Sequence, residues 1–294
     1  MAKALVGVMG GSGLYQMDAL EDVQELHIDT PFGKTSDAIM TGRIDGVPVA
    51  FVSRHGRGHR LVPSEIPYRA NIYALKTLGV RYLISLSAVG SLCDEFRPLD
   101  MVLPDQFIDL TRRRESSFFG DGAVAHVSMA QPVCAQLSDV LARAVGAFNA
   151  ADAAQSVKIH RGGTYVCIEG PQFSTMAESH WYRSMGASVI GMTNMPEAKL
   201  AREAQIAYAS LNMVTDYDCW HPREAHVTAN AAIANLMKNA GNAQHIARAA
   251  VVMLGAEQPA SEAHTALATG LVSPLDTLQG ATKDRVQVLL GTSV

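Results

Sequence analysis

The chain has 294 residues, 48% hydrophobic and 18% charged, with 24 basic against 28 acidic side chains and a net charge of −4. That composition is globular, not disordered, and lacks the basic excess of a nucleic-acid-binding surface, although a few local cations suffice for a small anion. Four cysteines, Cys93, Cys134, Cys167 and Cys219, show no CxxC or metal-finger spacing, so reduced thiols in a cytoplasmic protein are expected. No run of 18 apolar residues predicts a membrane span, and the opening MAKALVGVMGGSG reads as a first strand rather than a signal peptide.

Ala4 to Met9 is a short apolar run ending in Gly10-Gly11-Ser12-Gly13, which predicts a buried strand and a tight turn. Val47 to Ser53 reads as a strand with Arg54-His55-Gly56 at its end. Ser64 to Leu78 reads as a helix that Ser64 caps and Gly79 stops. Strands are expected at Val80–Ser87 and at Met101–Ile108, the second irregular at Pro104. Residues 109–130 form a long irregular segment in which Arg112, Arg113 and Arg114 read as a solvated or interface run. An amphipathic helix follows over Pro132–Phe148. Strands are then expected at Gly163–Ile168, Ser188–Met192 and Ile206–Val214, with helices at Ala177–Met185 and Pro196–Ala204. Residues 224–254 are alanine-rich and mostly helical.

Strands alternating with helices predict a single α/β domain, residues 1–255, with a central mixed sheet flanked by helices. Residues 256–294 hold small and polar residues with Pro259 and Pro274. They read as a C-terminal extension of unknown role, partly ordered at best.

Polar or glycine-rich clusters recur where strands end: Gly10–Gly13, Arg54–His59, Ser87–Gly90, Glu169–Ser174, Met192–Glu197 and Thr215–Asp218. Ligands of open α/β sheets lie outside the carboxyl ends of the strands, so these clusters predict one composite site, while each alone also fits an ordinary turn. Gly10–Gly13 is neither a P-loop, a GxGxxG turn nor a GxSxG elbow; its backbone N–H groups and the Ser12 hydroxyl suit an oxyanion. Arg54 forks two N–H bonds and His55 donates another, again suiting an anion. The H-x3-H spacing of His55 and His59 leaves a metal as the rival reading, and a solvated basic loop as a third. Ser87 and Ala88 supply a hydroxyl and an N–H. Asp216 and Asp218 beside Tyr217 and Trp220 are candidates for acid–base work, or simply turn aspartates. Phe173 and Met192 read as core residues on their type alone.

In order along the chain, MGGSGLY, DTPFGKTSDA, SRHGRGH, YRANIYALK, SAVGSL, DQFIDLT, CIEGPQFSTMAES, GMTNMPEAKLAREA and TDYDCW resemble the methylthioadenosine-cleaving members of the trimeric purine nucleoside phosphorylase family, over about residues 5–254. The resemblance implies that family's fold and a pentosyltransferase reaction of purine and methionine salvage. Inorganic phosphate, as co-substrate, attacks the anomeric carbon of S-methyl-5′-thioadenosine, giving adenine and 5-methylthioribose 1-phosphate, with no metal or organic cofactor. It places Ser12, Arg54, His55, Ser87, Ala88 and Thr193 at the phosphate, and Met192 against the ribose. Phe173 and Ser174 fall in the base pocket and Asp216 and Asp218 at the purine edge, Asp216 protonating N7. His126, reaching in from a neighbouring subunit of a homotrimer, lines the 5′-methylthio pocket with Val227 and Ala229 on the helix after Trp220. Relatives acting on 6-oxopurines carry Glu in place of Ser174 and Asn in place of Asp216, so the pair here points to adenine. The alternatives are a broader phosphorylase using adenosine, inosine or methylthioinosine, a nucleosidase that uses water, and a non-catalytic nucleoside-binding protein. The expected partners are small molecules and further copies of the chain, with no nucleic acid and no membrane.

Overall fold

In the computed structural model, residues 3–11, 20–223 and 227–292 are described. The chain opens with β1 (Val6–Gly10), β2 (Glu21–Leu26), the short ribbon β3 (Asp29–Thr30) and β4 (Gly33–Lys34), then β5 (Ile39–Ile44) and β6 (Val47–Ser53). Helix α1 (Tyr68–Thr77) leads to β7 (Tyr82–Ser91), β8 (Met101–Leu103) and β9 (Gln106–Asp109). Helix α2 (Ala135–Ala151) is followed by β10 (Ile159–Arg161), β11 (Thr164–Cys167), α3 (Met176–Ser184), β12 (Ala187–Gly191), α4 (Asn194–Glu203) and β13 (Ala207–Asp216). Helices α5 (Ala229–Glu257), α6 (Ala266–Gly270) and α7 (Gly280–Leu290) complete the chain.

The main sheet is mixed, in the order β10-β8-β13-β7-β1-β6-β5-β2. Its centre is parallel: β1 pairs with β6 and β7, and β7 with β13. The far end of β7 turns to a second group of strands, Gly90 and Ser91 pairing antiparallel with Ile190 and Val189 of β12, which continues through β11 to β9. Side chains alternate across the central strands. Val6, Val8, Ile84, Leu86, Leu211 and Met213 pack with α2 and α5 on one face, whereas Met9, Leu83, Tyr208 and Val214 pack with α1 and α4 on the other. With both faces covered, these strands read as continuous apolar runs. Among the described residues no helix is long and apolar enough to cross a membrane.

Several local expectations change. The helix expected over Ser64–Leu78 divides: Pro63–Glu65 form a 3-10 turn and α1 begins only after Pro67, because the residue before a proline is steered out of the helical region. The strand over Met101–Ile108 breaks at Pro104 into β8 and β9, which pair with different partners. Beyond residue 255 the chain is folded onto the body rather than loosely attached. Helix α5 continues unbroken to Glu257. Leu267 and Leu289 enter the main core, and Leu278 and Val286 close on Ala123. Arg285 Nη2 donates to the Gly120 carbonyl at 3.0 Å. Pro259 and Pro274 fall in connections between helices, where a proline costs nothing.

Candidate active site

At the anion end, β1 and β6 run side by side and the Arg54 amide donates to the Gly10 carbonyl at 2.9 Å. The Arg54 side chain is buried beneath the strand ends and ion-paired to Glu197 of α4, itself 0% exposed. Its Nε and Nη2 both donate to the Glu197 carboxylate, Nη2 also reaches Ser85 Oγ at 2.8 Å, and Nη1 reaches the Leu86 carbonyl at 3.2 Å. Ser85 and Tyr208 hydroxyls donate to Glu197 Oε2 at 2.9 and 3.2 Å. Burial opposes the Arg54 charge, and the adjacent Glu197 carboxylate more than offsets it, so the guanidinium is held protonated. The two-pronged grip of Arg54 on an anion, expected from sequence, is therefore taken up by Glu197. One Nη1 hydrogen is left, on the side of Gly11: a Cβ on Gly11 would stand 4.0 Å from Nη1 and 3.9 Å from His55 Cδ2.

His55 also differs from expectation. Burial pushes its imidazole down to about 4, the Leu61 carbonyl pulls it up and the Arg54 charge adds to the fall. The neutral ring gives its Nδ1 proton to the Leu61 carbonyl at 2.8 Å, so Nε2 presents a lone pair rather than a proton. That suits a protonated phosphate oxygen. His59 stacks on His55 with centroids 4.1 Å apart; the rings lie face to face instead of converging on a point. Among the described residues no group of three His, Cys, Asp or Glu side chains is arranged to hold a metal ion. Ser87 Oγ donates to Asn212 Oδ1 at 2.6 Å, leaving its lone pairs, and Ala88 follows it half-buried on β7. Thr193 is buried immediately before α4, its amide 3.5 Å from Tyr165 Oη. Ser12 lies outside the described residues.

At the other end of the site, β13 delivers Asp216. Burial raises its carboxyl to about 6, against the Thr215 hydroxyl and the Asp218 amide, with the Asp218 charge adding to the rise. Thr215 Oγ1 donates to Oδ2 at 2.6 Å and the Asp218 amide to Oδ1 at 2.8 Å. Gly90 of β7 makes room for it, since a Cβ there would lie 3.0 Å from Asp216 Oδ1. Asp218 is buried and likewise raised by burial, the nearby Ser179 and Ser174 hydroxyls pulling it back. Those two hydroxyls approach without completing a well-formed hydrogen bond. Phe173 is 43% exposed at the mouth, so the expectation of a core residue fails for it. Met192 is half-buried, and a Cβ on Gly170 would come within 2.5 Å of its sulfur; only glycine at φ +64° lets these two loops touch.

Of the residues expected at the 5′ end, Val227 precedes α5 rather than lying on it, and its amide donates to the Asp218 carbonyl at 2.9 Å. Ala229 is the exposed first residue of α5. His126 is exposed, its amide bound to the Gly270 carbonyl at 2.7 Å. Sequence reasoning missed Glu197, Asn212 and Arg114. Glu197 carried only the signal of its place, at the end of the Met192–Glu197 cluster that follows a strand; its pairing with Arg54 has no local mark in the sequence.

A mixed sheet whose parallel strand ends carry a buried arginine at one side and an elevated carboxyl at the other defines an enzyme site for an anion and a group that accepts a proton. The chain belongs to the Phosphorylase superfamily, whose family model matches residues 5–252. It is 57% identical over 287 residues to the S-methyl-5′-thioadenosine phosphorylase of Thermosynechococcus vestitus, covering 98% of each chain. It is 60% identical to the crystal structure of a methylthioadenosine phosphorylase from an antarctic soil metagenomic library, with a TM-score of 0.93 over 99% of this chain and 100% of that one. A methylthioadenosine phosphorylase from Schistosoma mansoni in complex with adenine matches at 33% identity and a TM-score of 0.81, over 99% of either chain.

Proposed function

We propose that the enzyme catalyses phosphorolysis of S-methyl-5′-thioadenosine, a pentosyl transfer to inorganic phosphate. A phosphate oxygen bonds to the anomeric carbon as the bond from that carbon to purine N9 breaks. The released electron pair enters the purine, and N7 takes the Asp216 proton. Adenine and 5-methylthioribose 1-phosphate are the products. The observation that carries this reading is the Asp216 carboxyl, raised to about 6 by burial and lying across the strand ends from the Arg54 and His55 pair. About one molecule in ten holds the proton on such a group at pH 7 in the free enzyme, enough for a general acid worth ~10²–10⁴-fold.

Phosphate is a co-substrate in this scheme and no cofactor is called for. Arg54, through its remaining Nη1 hydrogen, Ala88 and Thr193 amides, and the Ser12 hydroxyl hold the anion. His55 accepts a phosphate O–H. Met192 packs against the ribose, Phe173 and Ser174 against the base, and Asp218 orients Asp216. Val227 and Ala229 line the 5′ pocket, completed by His126 from a neighbouring subunit in a cytoplasmic homotrimer. The exposure of His126 leaves its side chain open to a neighbouring subunit, which supports that assignment. A side-by-side assay with methylthioadenosine, methylthioinosine, adenosine and inosine tests the substrate. Methylthioadenosine is expected to give the highest kcat/KM; preference for a 6-oxopurine refutes the adenine assignment, and equal use of adenosine refutes the 5′ pocket.

A further inference from the structure

We propose that Arg114 is a positioning residue that sets the spacing between the two loops enclosing the nucleoside; this rests on the reading of the site given above. Its side chain is 1% exposed, although it closes a run of three arginines. Every donor of the guanidinium is engaged. Nη1 donates to the carbonyls of Met192 and Met195 at 2.6 and 2.7 Å, and lies 3.1 Å from Tyr68 Oη. Nη2 donates to the carbonyl of Glu169 at 2.8 Å and faces that of Ile168 at 3.4 Å. Nε reaches Glu169 Oε1 at 3.2 Å. The Glu169 carboxylate in turn accepts from the Arg112 and Arg113 amides at 2.7 and 3.1 Å, and from the Ser64 hydroxyl. The backbone that carries Arg114 is thereby fixed to one of the loops it grips.

The four carbonyls belong to two segments only. One follows β12 and carries Met192, the other follows β11 and leads to Phe173 and Ser174. Both have left the sheet ladder, so the guanidinium supplies the donors that a neighbouring strand supplies elsewhere. A planar fork with five donors spans the pair; an ammonium on a flexible stem is a single point and holds one segment at a time. The nucleoside contacts both loops, whereas the phosphate draws on only one of them, through the Thr193 amide, and otherwise on the Arg54 charge and the neutral His55 ring, held through Glu197 and Leu61. Loss of Arg114 therefore weakens the nucleoside more than the phosphate.

The test is the steady-state kinetics of full-length R114K and R114A beside the unaltered enzyme, each varying methylthioadenosine and phosphate separately, with folding checked by circular dichroism and gel filtration. The expected result is a rise of at least tenfold in the methylthioadenosine KM in both variants, with the phosphate KM changed less than threefold. Millimolar guanidinium is expected to recover part of the loss in R114A and none in R114K. Folded variants with both constants within twofold of the unaltered enzyme overturn the proposal, as do constants that rise in parallel. Failure of both variants to fold also overturns it, because Arg114 is then a core residue without a separable role. An unaltered enzyme that does not cleave methylthioadenosine overturns the functional reading itself, a different failure from an unsplit KM response.

Discussion

Replacing Asp216 with Asn tests the local electrostatics and the chemistry together. Burial raises this carboxyl from its usual 3.8 to about 6, so the folded protein pays about 3 kcal/mol to ionise it at neutral pH. The folded value lies above the unfolded one. Between pH 4 and 6 the folded state therefore binds more protons, and stability falls as pH rises through that window. D216N removes the penalty and keeps the local contacts. The amide oxygen still accepts from the Asp218 amide, while the Thr215 hydroxyl, which also reaches the Val89 carbonyl at 3.2 Å, turns to accept from the new NH2. Urea unfolding at several pH values is expected to give no difference near pH 4, growing to about 2–3 kcal/mol in favour of D216N at pH 8. Turnover of methylthioadenosine is expected to drop ~10²–10⁴-fold. A stability difference that does not change with pH refutes the elevated carboxyl, and unchanged turnover refutes its role as the acid.

In the unaltered enzyme, kcat/KM for methylthioadenosine at saturating phosphate is expected to decline as pH rises through about 6, and D216N to lose that limb; a flat profile in both contradicts the assignment. D216N is also expected to raise the relative use of inosine over adenosine, read as a ratio of kcat/KM values. E197Q leaves the Arg54 charge buried without its partner, costing about 3–5 kcal/mol in urea unfolding and raising the phosphate KM; R54A raises that KM as well, and an unaltered value in both removes Arg54 from the anion end. L289A, in the last helix, is expected to cost about 2–5 kcal/mol because Leu289 is fully buried, whereas a loosely attached tail loses nothing.

The central parallel strands were legible because both faces are covered, so β1, β6, β7 and β13 stand out as apolar runs ending in polar clusters. Asp216 was legible for the same reason: it ends such a run. Strand β2 was not, since Glu21–Leu26 is exposed along nearly its whole length on the sheet edge and carries no alternation. The C-terminal helices were missed because α6 is only five residues long and α7 opens on a polar run over residues 280–285, its apolar residues confined to the last turns, where Val286 and Leu289 are buried. Arg114 shows where local pattern fails most plainly. Three successive arginines read as a solvated run, yet carbonyls from two distant loops, after β11 and after β12, draw one of them inside. Arg54 shows the converse: its type pointed to an anion, but its geometry is decided by Glu197, 143 residues away in sequence.

Phosphate dependence tests the account most directly. Methylthioadenosine cleavage is to be followed in phosphate-free buffer and with added phosphate, with both sugar products quantified. The account predicts that adenine release requires phosphate and that 5-methylthioribose 1-phosphate forms mole for mole with adenine. Undiminished adenine release without phosphate, with free 5-methylthioribose as the product, contradicts it.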